Sequence, residues 1–391
     1  MSGRTVSLDF EHDIDRNARR ERARERMDES DLDALLLTGG PNLSYFAEAS
    51  GMLGAGSGSR PMCYLLPREG TPTLIVHEFL AAGIGDEGCD LRTYERLSSL
   101  PVAELREALA EAGVSGGRIG VEYGPETTLS VPSGEFAAFA DRSDAAFVDA
   151  QPLLVDLRSR KSAAEIERVE RACAVTAEAF SRTFGDVSTG MTGREVEACF
   201  LGHLLDCGGS APWALVTCDP REYDRTASGG SERVVEEGAM VWIDGGCAVD
   251  GYFADYSRAG VVGGPSERQR EAQAAVERIT RAAVDAVEPG ALMADVARGA
   301  EAAVDDLDLP VTARLSRLAG RVGHSLGLQV TELPSLAAAS TGTFEPGMVV
   351  TIEPAFATAY GTFHVEANVA VTGQETRTLS ACPGSLRTIE P

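Results

Sequence analysis

Lysine is almost missing from this 391-residue chain. Lys161 stands alone beside 34 arginines, and the 35 basic side chains face 60 acidic ones, for a formal net charge of −25 at pH 7. That imbalance excludes a phosphate-gripping surface, so no nucleic-acid partner is expected. Long apolar runs are missing too. Nothing reaches the roughly 18 residues of a helical membrane span, and residues 1–26 are crowded with Arg, Glu and Asp where a secretion signal needs an apolar core. The expected location is the cytoplasm, with no membrane partner. Cys-x-x-Cys is absent: the eight cysteines (63, 89, 173, 199, 207, 218, 247 and 382) are scattered, which fits neither a zinc ribbon nor a thioredoxin motif. In a reducing cytosol they read as small buried hydrophobes.

Two origins could account for the lysine deficit. GC-rich codon usage trades lysine for arginine, whereas an acidic, lysine-poor surface suits a cytosol of molar salt, where screening suppresses self-repulsion. The salt-adapted origin is the expectation here. What is present is ordinary globular material, 43% hydrophobic and 24% charged. The length exceeds what one core usually spans, so two domains are expected.

Strand and helix signals alternate to about residue 150: a charged helix over 13–29, strands over 34–37, 61–66, 73–76 and 118–121, and a helix over 103–112 closed by Gly113. A boundary is placed near Gln151-Pro152, giving domains 1–152 and 156–391, with 156–161 as a charged connector. Beyond it, three capping boxes open helices: Ser162-Ala-Ala-Glu165, Thr192-Gly-Arg-Glu195 and Ser266-Glu-Arg-Gln269. Strands over 213–218, 239–244, 251–256, 348–353 and 362–371 stand between and after these helices, which predicts an α+β second domain.

One unit occurs twice. Gly238-Ala-Met-Val-Trp-Ile-Asp244 and Gly347-Met-Val-Val-Thr-Ile-Glu353 each run from glycine through an apolar or β-branched stretch to a carboxylate. A second acidic strand follows each, ending at Asp255 and at Glu366, which predicts two related halves facing each other. Carboxylates in apolar strands are costly unless paired, protonated or bound to metal. Strand alternation sets Asp255 with Phe253 and Glu366 with His364. Four converging carboxylates would be balanced by two divalent cations. With the imidazole of His324, bracketed by Gly323 and Gly327, such a set suits manganese, iron, cobalt or zinc. His12, His77 and His203 read as structural.

These residues resemble the creatinase, aminopeptidase P and prolidase family of pita-bread metallohydrolases. Gly40-Pro-Asn-Leu-Ser-Tyr45 looks like its N-terminal domain and Arg158-x-x-Lys161-Ser-x-x-Glu165 like its connector. Ile243-Asp-Gly-Gly, Gly251-Tyr-x-x-Asp255-Tyr-Ser-Arg258, Gly323-His324-Ser-Leu-Gly, Glu345-Pro-Gly-Met-Val-Val-Thr-Ile-Glu353-Pro and Val365-Glu366 look like its metal motifs, in order. The resemblance implies a creatinase-type domain followed by a pita-bread domain of two pseudo-symmetric halves. It implies Asp244, Asp255, His324, Glu353 and Glu366 as ligands of two divalent ions, manganese foremost, with Asp255 and Glu366 bridging. A hydroxide between the ions would be the nucleophile, Glu353 would carry its proton to the leaving nitrogen, and Ser257 and Arg258 would support the ligands. A homodimer is implied as well.

Two histidines usual in the family's peptidases are absent. Thr331 stands at one position and Ala227 at the other, which removes donors to the tetrahedral intermediate worth about 3 kcal/mol of barrier each. Where the proline-specific enzymes commonly carry arginine, two residues before the last glutamate, this chain has His364. His364 is expected either to contact substrate as a catalytic imidazole or to support a ligand carboxylate, and Thr331 to offer the substrate a hydroxyl. The expected function is metal-dependent hydrolysis of a C–N bond in a small peptide or amide, as an Xaa-Pro aminopeptidase or dipeptidase. The alternatives are a non-peptidase member acting on a compact osmolyte, in the manner of creatinase, ectoine hydrolase or a sulfonium lyase, and a catalytically inactive binding protein.

Overall fold

A computed structural model describes residues 10–47, 59–84, 88–373, 375–380 and 384–391. Contacts divide the chain after Arg158: Ile14–Arg158 form one unit, and Ser159–Pro391 with the described part of Met1–Asp13 form the other. The stretch 156–161, read from its charges as a connector, does not behave as one throughout, because helix Gln151–Ser159 runs into it. Leu153, Leu154 and Leu157 lie on the buried side of that helix, and their spacing outweighs the charges between them.

In the first unit, Ala34–Leu37 (β1) is buried at every position, as its unbroken apolar run requires. Cys63–Pro67 (β2), Thr73–His77 (β3), Asp90–Tyr94 (β4), Arg118–Val121 (β5) and Ala146–Asp149 (β6) complete a mixed sheet of order β4-β3-β2-β1-β5-β6. The helix Arg16–Glu29 starts at Asp15, whose carboxylate accepts from Ala18 N at 2.9 Å. Its arginines are not all solvated. Arg19 and Arg20 are buried and donate to the carbonyls of Tyr45 (2.8 Å) and Phe46 (3.0 Å) at the end of helix Gly40–Phe46.

In the second unit all three capping boxes form, opening helices Ala163–Asp186, Gly193–Asp206 and Glu267–Asp285. Ala272, Val276, Ile279 and Ala283 make one stripe of the last of these. With Met293, Val296, Ala297 and Ala300 of helix Met293–Asp305 they pack into a core shared with Trp242, Val350, Ile352 and Val369. Among the described residues no helix is long and apolar enough to cross a membrane.

The repeated unit is a hairpin. In the first half Ser210–Thr217 (β7) flanks Met240–Val249 (β8), which folds back on Tyr252–Phe253 (β9) and Tyr256–Val262 (β10). The turn is Asp250-Gly251, both at positive φ (49° and 83°), matching a type I′ connection. One register runs from Val249↔Tyr252 to Met240↔Val261, yet the returning strand is interrupted at Ala254-Asp255.

The second half follows Val311–Ala313 (β11). It contains His324–Ser325 (β12), Glu332–Ser335 (β13), Val349–Ile352 (β14), Ala355–Thr358 (β15), Gly361–His364 (β16), Ala367–Thr372 (β17) and Glu375–Thr378 (β18). Again one register holds, from Thr358↔Gly361 through Ala355↔His364 to Val349↔Ala370. Here both arms break, at Glu353-Pro354 and Val365-Glu366, so that the inner half joins the sheet β11-β15-β16 and the outer half the sheet β13-β12-β14-β17-β18. The terminal strand Arg387–Ile389 (β19) runs parallel to β10. The strands expected over 251–256 and 362–371 are therefore each two strands. Their second carboxylates occupy the breaks rather than positions of an alternating face.

Candidate metal centre

The hairpins bring the predicted ligands together. Asp244 lies in β8, opposite Ser257; Asp255 closes the first break; Glu353 and Glu366 stand at the two breaks of the second hairpin. Gly246 lets the broken strand come close, because a Cβ there would collide with the carbonyl oxygen of Ala254. Gly323 does the same before His324, against the carbonyl of Thr351. His324 places Nε2 3.3 Å from Asp255 Oδ2 and 3.8 Å from Glu353 Oε1. Its Nδ1 lies 2.9 Å from the Ser325 carbonyl, and a bond donated there leaves Nε2 as the lone pair aimed at the acids. One donor atom each from Asp255, His324 and Glu366 lie within 4.8 Å of one another, as do those of Asp244, His364 and Glu366.

Burial governs the charges. Asp244, Asp255, His324, His364 and Glu366 are buried, while the Glu353 side chain keeps 19% exposure. Desolvation pushes the carboxyls of Asp255 and Glu353 up to about 7, against the opposing pull of the Arg321 guanidinium, and those of Asp244 and Glu366 well above the ordinary range, where the neighbouring carboxylates push the same way. It drives His324 down, and His364 down to about 3 with help from the Arg258 guanidinium, so both imidazoles are neutral. Asp244 Oδ1, Glu353 Oε1, both Glu366 oxygens and His364 Nε2 are buried without a hydrogen-bond partner. Orphaned atoms are rare in folded proteins, and so many in one place are what bound cations would satisfy. Hard oxygens with imidazole nitrogen suit divalent ions of the manganese-to-zinc series.

Residues 167–373 match the family described as Metallopeptidase family M24, and residues 19–160 match the Creatinase/Prolidase N-terminal domain. The chain belongs to metallopeptidase family M24. A protein named Xaa-Pro dipeptidase from Pyrococcus horikoshii is 25% identical over 364 residues, 91% of this chain and 95% of the relative. The crystal structure of dipeptidase PepE from Mycobacterium ulcerans superposes with a TM-score of 0.81 at 25% identity, over 96% of this chain and 98% of that one. The prolidase of Thermococcus sibiricus, at 21% identity, shares the fold with a TM-score of 0.84 over 96% of this chain and all of its own. A creatinase-type domain followed by an M24 pita-bread domain is thus the architecture, as the resemblance implied.

The M24 centre is tied across its halves by bonds that join the hairpins. Ser257 Oγ donates to the His364 carbonyl (3.0 Å) and Arg258 Nη1 to the Glu366 carbonyl (2.8 Å), where the resemblance expects supporting residues. Asn368 escaped the sequence reading. Its Oδ1 accepts from Asp255 N at 3.0 Å and its Nδ2 donates to the Asp255 carbonyl, clamping the first break from β17. The signal was available, since a buried amide in the apolar run 367–371 is as costly as an acid. Thr331 accepts a bond from Arg321 Nη2 at 3.4 Å, and Arg321 Nε lies 3.6 Å from Glu353 Oε1, so a guanidinium stands between Thr331 and the acids. Beneath β12, Lys161 is 1% exposed at its side chain and places Nζ 2.9 Å from Ser325 Oγ and 3.4 Å from Glu332 Oε2. The other histidines have structural bonds: His12 to Glu167, His77 to the Glu95 carbonyl and the N–H of Phe79, and His203 to Asp186. Cys63, Cys173, Cys199, Cys207, Cys218 and Cys247 are free thiols, and Cys382 lies outside the described residues.

Proposed function

We propose that this chain hydrolyses the C–N bond before proline in small peptides, as an Xaa-Pro dipeptidase or aminopeptidase, using two divalent ions held by Asp244, Asp255, His324, Glu353 and Glu366. The observation that carries it is the convergence of these residues, with Asp244 Oδ1, Glu353 Oε1 and both Glu366 oxygens buried and unpartnered. Relatives named Xaa-Pro dipeptidase that match along nearly their whole length support the substrate class. When bound, the ions would supply a water of depressed pKa as nucleophile and polarise the scissile carbonyl. Glu353, the most exposed of the acids and with Arg321 Nε 3.6 Å from its Oε1, would receive a proton from the attacking water and deliver it to the leaving nitrogen. Manganese is the first metal to try, then cobalt, zinc and iron. A cytoplasmic, salt-adapted homodimer belongs to the same proposal.

A second reading, hydrolysis or lyase chemistry on a compact osmolyte, is favoured by one feature. The hydroxyl of Thr331 accepts from Arg321, where the peptidases place an imidazole for the substrate. Incubating the manganese-loaded protein with Xaa-Pro dipeptides and tripeptides, creatine and ectoine separates the two. Turnover of the proline peptides supports the first, whereas turnover of the small amides alone replaces it with the second.

A further inference from the structure

His364 Nε2 is a ring nitrogen with nowhere to go. It is buried, has no hydrogen-bond partner, and lies 3.9 Å from Glu366 Oε2, whose oxygens are equally orphaned. Asp244 Oδ1, orphaned as well, belongs to a carboxylate that offers a donor to the same cluster within 4.8 Å. Two bonds of ~2.1 Å span up to ~4.2 Å, so the imidazole and Glu366 can hold one ion between them.

The ring is fixed in that direction. Trp242 stacks beside it with centroids 5.7 Å apart and planes 30° apart, and Trp242 belongs to the same strand face as Asp244, two residues on. The His364 backbone pairs with Ala355 and its carbonyl accepts from Ser257 Oγ. A group meant for substrate needs access to it, but the His364 side chain is only 7% exposed.

We propose that His364 is itself a metal ligand, which gives each ion one imidazole: His324 with Asp255 and Glu366, and His364 with Asp244 and Glu366. This rests on the two-metal reading above. The second nitrogen makes the two sites alike in donor type and moves the Asp244 side away from an all-oxygen set toward cobalt, zinc and iron.

The full-length protein, stripped with a chelator and titrated with Co²⁺, tests this by bound cobalt per chain and by its visible d–d spectrum. The parent should hold two ions. His364→Ala should keep one ion tightly, bind the other at least ~10-fold more weakly, and lose the bands of one site. His324→Ala should lose the other ion. Because a variant can fail to fold, pulsed EPR of the Mn²⁺-loaded parent, with and without ¹⁵N-histidine labelling, gives a second readout, in which imidazole nitrogen coupled to both ions is the expected result. An unchanged cobalt titration and spectrum in folded His364→Ala, or coupling at one ion only, overturns the ligand role and leaves the two-metal reading standing. Fewer than two ions in the parent overturns both.

Discussion

Glu353 is the acid on which chemistry and electrostatics meet. It keeps some exposure, its carboxyl is pushed up to about 7, and it adjoins both His324 and Arg321. Glu353→Gln keeps an oxygen donor and the volume but cannot carry a proton, so kcat should fall ~10²–10⁴-fold with little change in fold. A variant with at least a tenth of parental kcat would remove Glu353 from proton transfer. The same carboxyls make stability depend on metal and pH together. Without cations, Asp255 and Glu353 hold their protons to about pH 7 in the folded state, but release them near pH 4 when unfolded. Between those values the folded state binds more protons, so unfolding free energy falls as pH rises, and the contribution is gone above pH 7. Chelator-treated protein should therefore lose melting temperature from pH 5 to 7.5, and divalent metal should restore it most at the upper end. Differential scanning fluorimetry across that range checks it, and a chelated protein whose Tm rises with pH contradicts it.

At the scale of elements, the centre depends on two hairpins whose registers never slip although their strands break. The acids are eleven residues apart in the first and thirteen in the second. In the second, extending the register of β14 and β17 sets Glu353 opposite Glu366; in the first, Asp244 faces Ser257 instead. Asn368 spans the hairpins, so Asn368→Ala, which leaves the Asp255 N–H and carbonyl unpaired, should cost about 2–4 kcal/mol and weaken metal binding. Urea unfolding with and without metal measures both, and a change under 1 kcal/mol would deny the clamp. Lys161 and Glu332 make the complementary case. Lys161→Met takes the ammonium from the buried Glu332 carboxylate, to which Gln329 N still donates at 3.1 Å, and should cost about 3–5 kcal/mol, most of which the double variant Lys161→Met/Glu332→Leu should return. Strictly additive losses would show that the pair is not coupled. The repeat, the capping boxes and the convergence of the acids were legible because glycine, carboxylate and cap residues mark positions chemically. The breaks at Asp255 and Glu366 were not, because a run of apolar and β-branched residues reads the same whether it stays in one sheet or passes into a second. Asn368 and the helix Gln151–Ser159 were legible in principle: one is a polar residue in an apolar run, the other a leucine spacing hidden among charges.

For the whole molecule the question is where the excess of acid lies. Among the described residues few acids are buried, and those outside the centre have donors: Glu122 accepts from Thr38, Gly39 and Asn42, Glu165 closes a capping box, Asp219 pairs with Arg221, and Glu332 with Lys161. Two divalent ions would neutralise the four carboxylates of the centre. Nearly all of the −25 therefore faces solvent. Surface ion pairs such as Arg194–Glu232 and Arg298–Asp295 are exposed and individually weak, and with 60 acids against 35 bases they cannot offset the repulsion among the rest. Raising salt from about 0.1 M to 1 M shortens the screening length from about 10 Å to about 3 Å, which damps that repulsion more than it costs the few short pairs. Melting temperature and activity should both climb with KCl over this range, and dialysis to low salt should unfold the protein reversibly or inactivate it. Codon usage alone carries no such dependence. A protein that stays folded and active after dialysis would assign the missing lysines to the genome rather than to the solvent.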